Sequence, residues 1–319
     1  MSNYIDISAA CNILKNNDDF AILTHQNPDG DAFGSAFALC LILKKLGKRA
    51  KVLNFTGFPE RYSFLYTDFA AFDFEEKTVI AVDLADDSLL GDLRERYADK
   101  CVLNIDHHGS NVGFAENTLL NSKAAAAGEI IYDVAENLGV SVDAEIARRL
   151  YTAIATDTGC FKFSNTTSRT HEIVSQLLKY DFDFANINRE MFDIKSIGKI
   201  KLEAAIYENT EYYFGGKCAV AYISRNLLSS LGVDETELDT TMNLPLQTLG
   251  VVVGVTIKER EDGKLKASMR SAGDFCVSDI CASFGGGGHK NAAGCEFDEK
   301  YSIDEVKSMI VAEIGRVLG

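Results

Sequence analysis

Carboxylate and imidazole side chains follow several short apolar segments of this 319-residue chain. The segment at residues 102–105 is the clearest, because it ends directly in Asp106, His107 and His108. An Asp-His-His triplet alone could equally be a polar loop whose histidines cap a helix. The catalytic interpretation gains weight because other apolar segments end in the same way. The complete set is His25, Asp29, Asp31, Asp83, Asp106, His107, His108 and Asp157.

These residue types are characteristic of a site for divalent cations. Carboxylate oxygens and imidazole nitrogens without thiolates suit Mn²⁺, Mg²⁺ or Fe²⁺ better than a structural zinc ion. The set is too large for one ion and is the right size for two. Two ions about 3.5–4 Å apart form the usual clamp for in-line attack at phosphorus. The sequence therefore predicts metal-dependent hydrolysis of a phosphoester.

The segments that precede these side chains have the pattern of buried parallel strands. Residues 20–24, 78–82 and 102–105 are short and mainly apolar, and the central run of residues 78–82 is continuous rather than alternating, as expected for a strand covered on both faces. Strand patterns alternating with helical patterns predict an α/β fold with a doubly wound parallel sheet. Ligands of such sheets bind outside the carboxyl ends of the strands, where these side chains would lie. The helical patterns cover residues 35–46, 124–138 and 144–155.

The loop after the first strand carries three of the candidate ligands. Pro28 and Gly30 are expected to keep this loop out of the following helix, which we predict to begin at Ser35. Asp29 or Asp31 could simply cap that helix. A histidine and two aspartates within seven positions favour a ligand role instead.

The composition is that of an ordinary globular protein with an acidic surface. Hydrophobic residues make up 46% and charged residues 25% of the chain, so extensive disorder is not expected. The formal net charge of −15 argues against coating of long nucleic acid, which needs many basic contacts to phosphates. A small anionic substrate held by metal ions is compatible with that charge. At 319 residues, two domains are the default expectation.

The N-terminus and the cysteines favour a cytoplasmic location. Residues 1–20 lack the basic and apolar segments of a secretory signal, and the longest apolar run, residues 36–43, is too short to span a bilayer. The eight cysteines are scattered, and the closest pair, Cys276 and Cys281, does not have Cys-x-x-Cys spacing. We therefore expect reduced, mostly structural thiols and no contact with a membrane.

The order and spacing of the candidate ligands resemble the four motifs of the DHH phosphoesterase family. This family includes RecJ-type exonucleases, family II inorganic pyrophosphatases, cyclic-di-AMP-pathway phosphodiesterases and nanoRNases. The likeness covers about the first 185 residues. The matching motifs are His25-x-x-x-Asp29-x-Asp31, the isolated Asp83, Asp106-His107-His108 and Asp157.

The resemblance implies a role for each of these side chains. One metal ion would be held by His25, Asp29 and Asp83, and the other by Asp31, Asp83, His107 and Asp157. Asp83 would therefore bridge the two ions. The resemblance also implies that His108 faces the substrate phosphate and that Asp106 orients a neighbouring ligand, as such partners commonly do. The expected catalytic residues are thus Asp83, Asp106 and His108.

The C-terminal third contains two hairpin patterns. Residues 212–223 contain a Gly-Gly turn, and residues 251–270 contain a turn at Asp262-Gly263. Alternation along residues 264–270 places Arg270 on the same face as Lys266. We interpret Lys266 as part of a solvated face, whereas Arg270 lies closest to the motif that follows.

That motif is the glycine-rich stretch at residues 284–294, which contains four consecutive glycines followed by His289. Such a run could be a flexible linker, but glycine also lets backbone N–H groups approach a phosphate closely. The stretch resembles the signature of the DHH-associated C-terminal domain, in which a histidine and a nearby arginine hold the substrate. The expected substrate-binding residues are Arg270, Ser271, Gly286, Gly287, Gly288 and His289.

Together these features predict a two-domain enzyme of the nanoRNase/pAp-phosphatase type. We expect a parallel-sheet DHH domain at residues 1–186, a helical linker at 187–211 and a smaller α/β substrate-binding domain at 212–319. The expected activity is manganese-dependent hydrolysis of short oligoribonucleotides and of 3′-phosphoadenosine 5′-phosphate (pAp). On RNA the enzyme would act as an exonuclease, and it would not act on long duplexes. Mg²⁺ or Fe²⁺ could replace Mn²⁺, and a homodimer is left open.

Two other functions are compatible with the same motifs. Within the enzyme class, the alternative is a phosphodiesterase for cyclic di-AMP or its linear product pApA. From a different class, the alternative is a catalytically silent nucleotide-binding module. The complete set of ligand residues argues against the silent module, because loss of Asp83 or Asp157 would be its expected mark.

Overall fold

The structure, a computed structural model, describes residues 2–53, 59–66, 74–233 and 238–318. The chain divides into two compact units, Met1–Ile194 and Lys195–Gly319. Each unit contains one six-stranded sheet with helices packed against it. The α/β fold predicted from the sequence, with a parallel sheet in the N-terminal part and a smaller second domain, is confirmed.

The sheet of the first unit is entirely parallel. Its spatial order is β1-β6-β5-β4-β2-β3, so the strands predicted from the sequence occupy its centre. The strands are β1 (Asn3–Tyr4), β2 (Phe20–Leu23), β3 (Ala50–Leu53), β4 (Thr78–Val82), β5 (Cys101–Asp106) and β6 (Asn117–Leu120). The helices are α1 (Ile7–Asn16), α2 (Gly30–Lys45), α3 (Ser63–Tyr66), α4 (Arg94–Tyr97), α5 (Ala127–Leu138), α6 (Ala144–Asp157), α7 (Ser168–Leu177) and α8 (Phe184–Asn188).

The central strands are mainly apolar and almost fully buried because both faces of the sheet are covered. Phe20 and Ile22 of β2 pack into the core formed with α1, α2, α5 and α6. Ala21 and Leu23 point to the other face, where they join a smaller core near α4. Alternate residues of a strand point to opposite faces, so a strand buried on both sides shows no polar alternation.

Helix α2 begins at Gly30, so the predicted start at Ser35 is wrong. Asp29 caps the helix, because its carboxylate accepts the backbone N–H groups of Asp31 and Ala32 at 2.9 and 3.0 Å. A good N-cap allows helical geometry to begin at the following residue, even at a glycine. Gly30 also permits close packing, since a Cβ there would overlap the side chain of Thr156 near the end of α6.

The second unit contains a mostly antiparallel sheet of order β11-β12-β10-β9-β8-β7, in which only the β8–β9 pair is parallel. Both predicted hairpins are confirmed, as β7–β8 and β9–β10. The strands are β7 (Glu211–Tyr213), β8 (Cys218–Ile223), β9 (Val253–Glu259), β10 (Leu265–Ser271), β11 (Gly287–His289) and β12 (Ala292–Phe297). The helices are α9 (Ile197–Glu208), α10 (Arg225–Leu231), α11 (Val277–Ser283) and α12 (Ile303–Leu318).

The region expected to be a linker is helical but is shared between the units. A π-helical turn at Arg189–Asp193 continues α8 within the first unit. Helix α9 belongs to the second unit, where Leu202 and Ile206 are buried in its core. None of the helices within the described ranges combines the length and the apolar character needed to cross a membrane.

Candidate active site

The candidate ligands converge because their parent strands are neighbours in the sheet. Strands β5, β4 and β2 lie side by side and run in the same direction. Their carboxyl ends therefore deliver the Asp106-His107-His108 motif, Asp83 and the loop of His25 to one edge. Asp157, the last residue of helix α6, contributes its carboxylate to the same cluster.

Three overlapping groups of side chains are arranged to hold metal ions. In each group, one potential ligand atom per residue lies within 4.8 Å of the others. The groups are His25, Asp29 and Asp83; Asp31, His107 and Asp157; and Asp83, His107 and His108. His107 connects them, because its Nε2 lies 3.4 Å from Asp83 Oδ1 and 3.6 Å from Asp157 Oδ2. The first two groups contain the side chains that the family resemblance assigns to separate ions, and the third adds His108 to the candidate ligands.

Asp83 combines three features that fit a bound cation. Its side chain is 4% exposed, and its backbone has a φ of 57°, in the left-handed region that aspartate adopts only at a cost. Its Oδ1 atom makes no hydrogen bond to any residue that the structure describes. A buried carboxylate oxygen that makes no hydrogen bond is costly unless a positive charge lies nearby, such as a metal ion or a protonated His107, whose Nε2 is 3.4 Å away. The donor set, which contains only oxygen and nitrogen atoms, therefore fits divalent metal ions.

Backbone amides hold Asp31 in place. Its two carboxylate oxygens accept the N–H groups of Ala127 at 2.6 Å and Gly128 at 3.0 Å, at the start of α5. The Ser35 hydroxyl donates to the same carboxylate at 2.8 Å. The positive end of the α5 dipole favours a negative charge at this point. Asp31 is therefore fixed in one orientation before any ligand binds.

The two histidines are oriented by different partners. The Nδ1–H of His107 donates to the Ala124 carbonyl oxygen at 3.2 Å, which leaves Nε2 facing the carboxylates. His108 Nδ1 lies 2.8 Å from the buried Asp106, and Asn111 donates to the other oxygen of that carboxylate at 2.5 Å. The His108 side chain is 44% exposed, so its Nε2 can meet a substrate. Asp106 thus supports His108, consistent with the expected role.

Crowding of buried carboxylates shifts the pKa values of the cluster. Burial, followed by the charge of Asp83, raises the pKa values of Asp29 and Asp31. Burial also raises the pKa of Asp157 to about 6. Burial alone would lower the pKa of His107, but the nearby carboxylates outweigh it and raise this pKa to about 10. A cation in the cluster would reduce the repulsion between the carboxylates, which contributes to the raised pKa values of Asp29, Asp31 and Asp157.

Metal affinity should therefore fall as the pH is lowered. A bound ion needs Asp157 ionised and His107 Nε2 free of its proton, so protons and metal compete for the same atoms. We expect the apparent affinity for Mn²⁺ to weaken by about tenfold per pH unit for each proton displaced, most steeply below pH 6. Calorimetric titration between pH 5.5 and 8 measures this slope. An affinity that is constant over this range would contradict the ligand assignment.

In the second unit, Arg270 and His289 lie at the same level of the sheet. Arg270 on β10 and His289 on β11 both pair with Ala292, which lies on β12 between them. Residues directly opposite each other in a sheet point to the same face. Two strand spacings separate the two residues, or roughly 10 Å between backbones. The structure thus brings together the two side chains that the sequence singled out.

The glycine-rich stretch and Ser271 differ from the sequence expectation. The glycines do not form a loop of free amides, because the Gly286 N–H donates to the Cys281 carbonyl at 2.8 Å and Gly287–His289 forms β11. The Ser271 hydroxyl donates to the Phe275 carbonyl at 2.7 Å and accepts from Asn291 at 3.0 Å. Ser271 therefore stabilises the loop after β10 by bonds within the unit.

Comparisons with known proteins agree with this architecture. The family model for the DHH family, N-terminal domain, matches residues 19–154, and the DHHA1 domain model matches residues 215–316. The chain is 34% identical over 286 residues to the bifunctional oligoribonuclease and PAP phosphatase NrnA of Thermus thermophilus, covering 86% of this chain and 82% of that protein. The chain belongs to the DHH family. A protein named bifunctional oligoribonuclease and PAP phosphatase NrnA from Bacillus subtilis is 26% identical, with 92% of this chain and 93% of that protein covered.

Solved structures show the same DHH fold. The crystal structure of an exopolyphosphatase-related protein from Bacteroides fragilis has a TM-score of 0.86 at 22% identity, with 97% of this chain and 96% of that chain covered. RecJ from Thermus thermophilus in complex with Mn²⁺ has a TM-score of 0.56 at 14% identity, over 97% of this chain and 54% of RecJ. These likenesses extend over both units of the DHH chain.

Several groups that organise the DHH site were not found by sequence reasoning. The segment at residues 124–128 contacts Asp31 and His107 through backbone atoms, which leave no mark in the residue types. Asn165 Nδ2 joins this segment to the ligand helix, donating to the carbonyls of Ala125 at 3.0 Å and Asp157 at 3.1 Å. Asn111, five residues after Asp106, was the one partner that proximity in the sequence could have suggested.

Proposed function

We propose that this DHH protein is a divalent-metal-dependent phosphoesterase that hydrolyses short oligoribonucleotides and pAp. The observation that carries the proposal is the overlap of three ligand groups, two of which share the buried carboxylate of Asp83. Its relatives in Thermus thermophilus and Bacillus subtilis, named as bifunctional oligoribonucleases and PAP phosphatases, support the choice of substrates.

The side chains of the first unit would bind two cations. His25 and Asp29 would hold one ion, Asp31, His107 and Asp157 the other, and Asp83 both. When bound, such ions activate water and offset charge at the phosphoryl group. The proposal favours Mn²⁺, because the mixed oxygen and imidazole donors suit it, while Mg²⁺ and Fe²⁺ remain compatible with the same set.

Other side chains would bind the substrate directly. We assign His108 to the phosphoryl oxygens, because Asp106 holds its Nδ1 while the side chain remains 44% exposed. The hydrogen bond to Asp106 raises the pKa of His108, so the imidazolium form that can donate to a phosphate persists to higher pH. Arg270 and His289 of the second unit would contact a further phosphate or the terminal nucleotide.

The proposed enzyme should prefer substrates of two to five nucleotides. The net charge of −15 repels an extended polyanion, and a short chain needs only the few phosphate contacts named above. A longer chain would extend beyond these contacts, and its binding would then require a basic groove lined with aromatic residues, as in proteins that bind long single strands. We therefore expect kcat/KM to fall as length increases from dinucleotide to twenty-mer at fixed salt.

A panel of substrates tests both the activity and its preference. The panel contains RNA of two to twenty nucleotides, pAp, cyclic di-AMP, pApA and pyrophosphate, each with Mn²⁺, with Mg²⁺ and with a chelator. A kcat/KM that rises steadily with length would favour a processive RecJ-like exonuclease. Preference for cyclic di-AMP or pApA would favour the alternative phosphodiesterase, and binding without turnover would indicate a silent module.

A further inference from the structure

The turn that follows Asp157 has a costly backbone conformation. Gly159, Cys160 and Phe161 have φ values of 56°, 57° and 65°, so three consecutive residues lie in the left-handed region. Two of them are not glycine, and a side chain in this region is strained. Strain of this kind persists only where the surrounding structure enforces it, and it is concentrated at functional sites.

Hydrogen bonds fix this turn from both sides. The Thr158 carbonyl accepts the N–H groups of Lys162 and Phe163, each at 3.0 Å, so the chain folds back on the end of α6. The Thr158 hydroxyl also accepts the Phe161 N–H at 3.1 Å. Asn165 then ties the end of the turn to the Asp157 carbonyl. The result is a rigid turn directly attached to a candidate metal ligand.

The two phenylalanines of the turn have different environments. Phe161 packs on aromatic neighbours, with ring centroids 6.1 Å from Tyr151 and 5.6 Å from His171. The Phe163 side chain is 56% exposed, although one edge of its ring rests on the backbone of Gly159. A Cβ at Gly159 would overlap this ring, so glycine is needed there for the contact as well as for the positive φ.

Phe163 is therefore an exposed aromatic ring that rests on the backbone of Gly159, two residues after Asp157. The strained turn leaves the Phe163 ring exposed, whereas it packs Phe161 against Tyr151 and His171. An aromatic ring held rigidly beside a site for phosphates matches one recurring chemical use, the stacking of a nucleobase. Stacking depends little on base identity, since every base has a π-face.

We propose that Phe163 is the platform for a nucleobase of the substrate whose phosphate lies at the Asp157 cluster. This inference rests on the proposed function, because it requires a nucleotide substrate. The ring would stack on the base and contribute to binding and not to the chemical step. Substrates with any of the four bases would be accepted, whereas substrates without a base would lose the contact.

Steady-state kinetics with matched substrates tests the platform. We compare a ribodinucleotide with the same dinucleotide lacking both bases, using wild type, Phe163→Leu and Phe163→Trp. For Phe163→Leu we expect KM for the normal substrate to rise about fivefold or more at nearly unchanged kcat, and kcat/KM for the base-free substrate to stay constant. Phe163→Trp should retain wild-type KM, since it keeps an aromatic face.

Two controls separate stacking from a loss of structure. Phe184→Leu removes another exposed ring of the first unit, 44% exposed, and should leave both substrates unaffected. Equilibrium binding of a dinucleotide that contains 2-aminopurine gives a second readout, because stacking quenches the fluorescence of this base. We expect quenching by wild type and Phe163→Trp and its loss in Phe163→Leu.

The outcomes distinguish this inference from the proposed function. If wild type does not hydrolyse the dinucleotide, the proposed function fails and the platform fails with it. If wild type is active but Phe163→Leu keeps its KM and its quenching, only the platform is overturned. An equal loss with normal and base-free substrates also overturns it, because the ring would then support the turn and not the base.

Discussion

Asp83→Ala is expected to abolish hydrolysis while the protein remains folded. The carboxylate belongs to two of the three ligand groups and lies 3.4 Å from His107, which is shared with the third, so its removal disturbs both proposed ion sites. Metal ions contribute several kcal/mol to the stabilisation of transition-state charge. Since each 1.36 kcal/mol changes a rate tenfold, we expect kcat to fall by about a thousandfold or more.

The decisive measurements are turnover with saturating Mn²⁺, metal binding by calorimetry and folding by circular dichroism. Asp92→Ala is the matched control, because it removes an exposed carboxylate from the segment that follows the same strand. This control should keep wild-type turnover and both binding events. Near wild-type turnover in folded Asp83→Ala would show that the metal site has been misplaced.

The central strands and their terminal side chains could be predicted because both signals are local. A mainly apolar run followed directly by Asp or His marks a buried parallel strand and its functional end, as at β4 and β5. The convergence of these ends required only that the strands be neighbours and parallel. Strands β1 and β6 carried no such signal, because β1 is two residues long and only two of the four residues of β6 are apolar.

Features that depend on backbone atoms or distant partners could not be predicted. The start of α2 at Gly30 depends on capping by Asp29, which competes with the local tendency of Pro28 and Gly30 to form a turn. The Asp31 carboxylate accepts hydrogen bonds from backbone N–H groups almost a hundred residues away in the sequence, and any residue except proline could supply them. Ser271 was assigned to the substrate from its position next to Arg270, but its hydroxyl bonds to Phe275 and Asn291 of the same unit.

Arg270→Ala and His289→Ala are expected to weaken catalysis without changing metal binding. Neither residue belongs to the cluster around Asp83, and both lie on the second sheet beside Ala292. Removal of a charge-assisted hydrogen bond to a phosphate costs about 1.5–3 kcal/mol. We therefore expect kcat/KM for a dinucleotide to fall by about one to two orders of magnitude in each variant.

Lys266→Ala provides the control for Arg270→Ala, because Lys266 lies on the same strand and is exposed on the same face. The variant removes one positive charge from the second unit. We expect it to keep wild-type kcat/KM, because Lys266 pairs with Glu296, four residues along the sheet from the Arg270–Ala292 pair. Equal losses in Lys266→Ala and Arg270→Ala would indicate a general electrostatic effect. Unchanged kinetics in both Arg270→Ala and His289→Ala would remove the second unit from substrate binding, and recognition would then depend on the first unit alone.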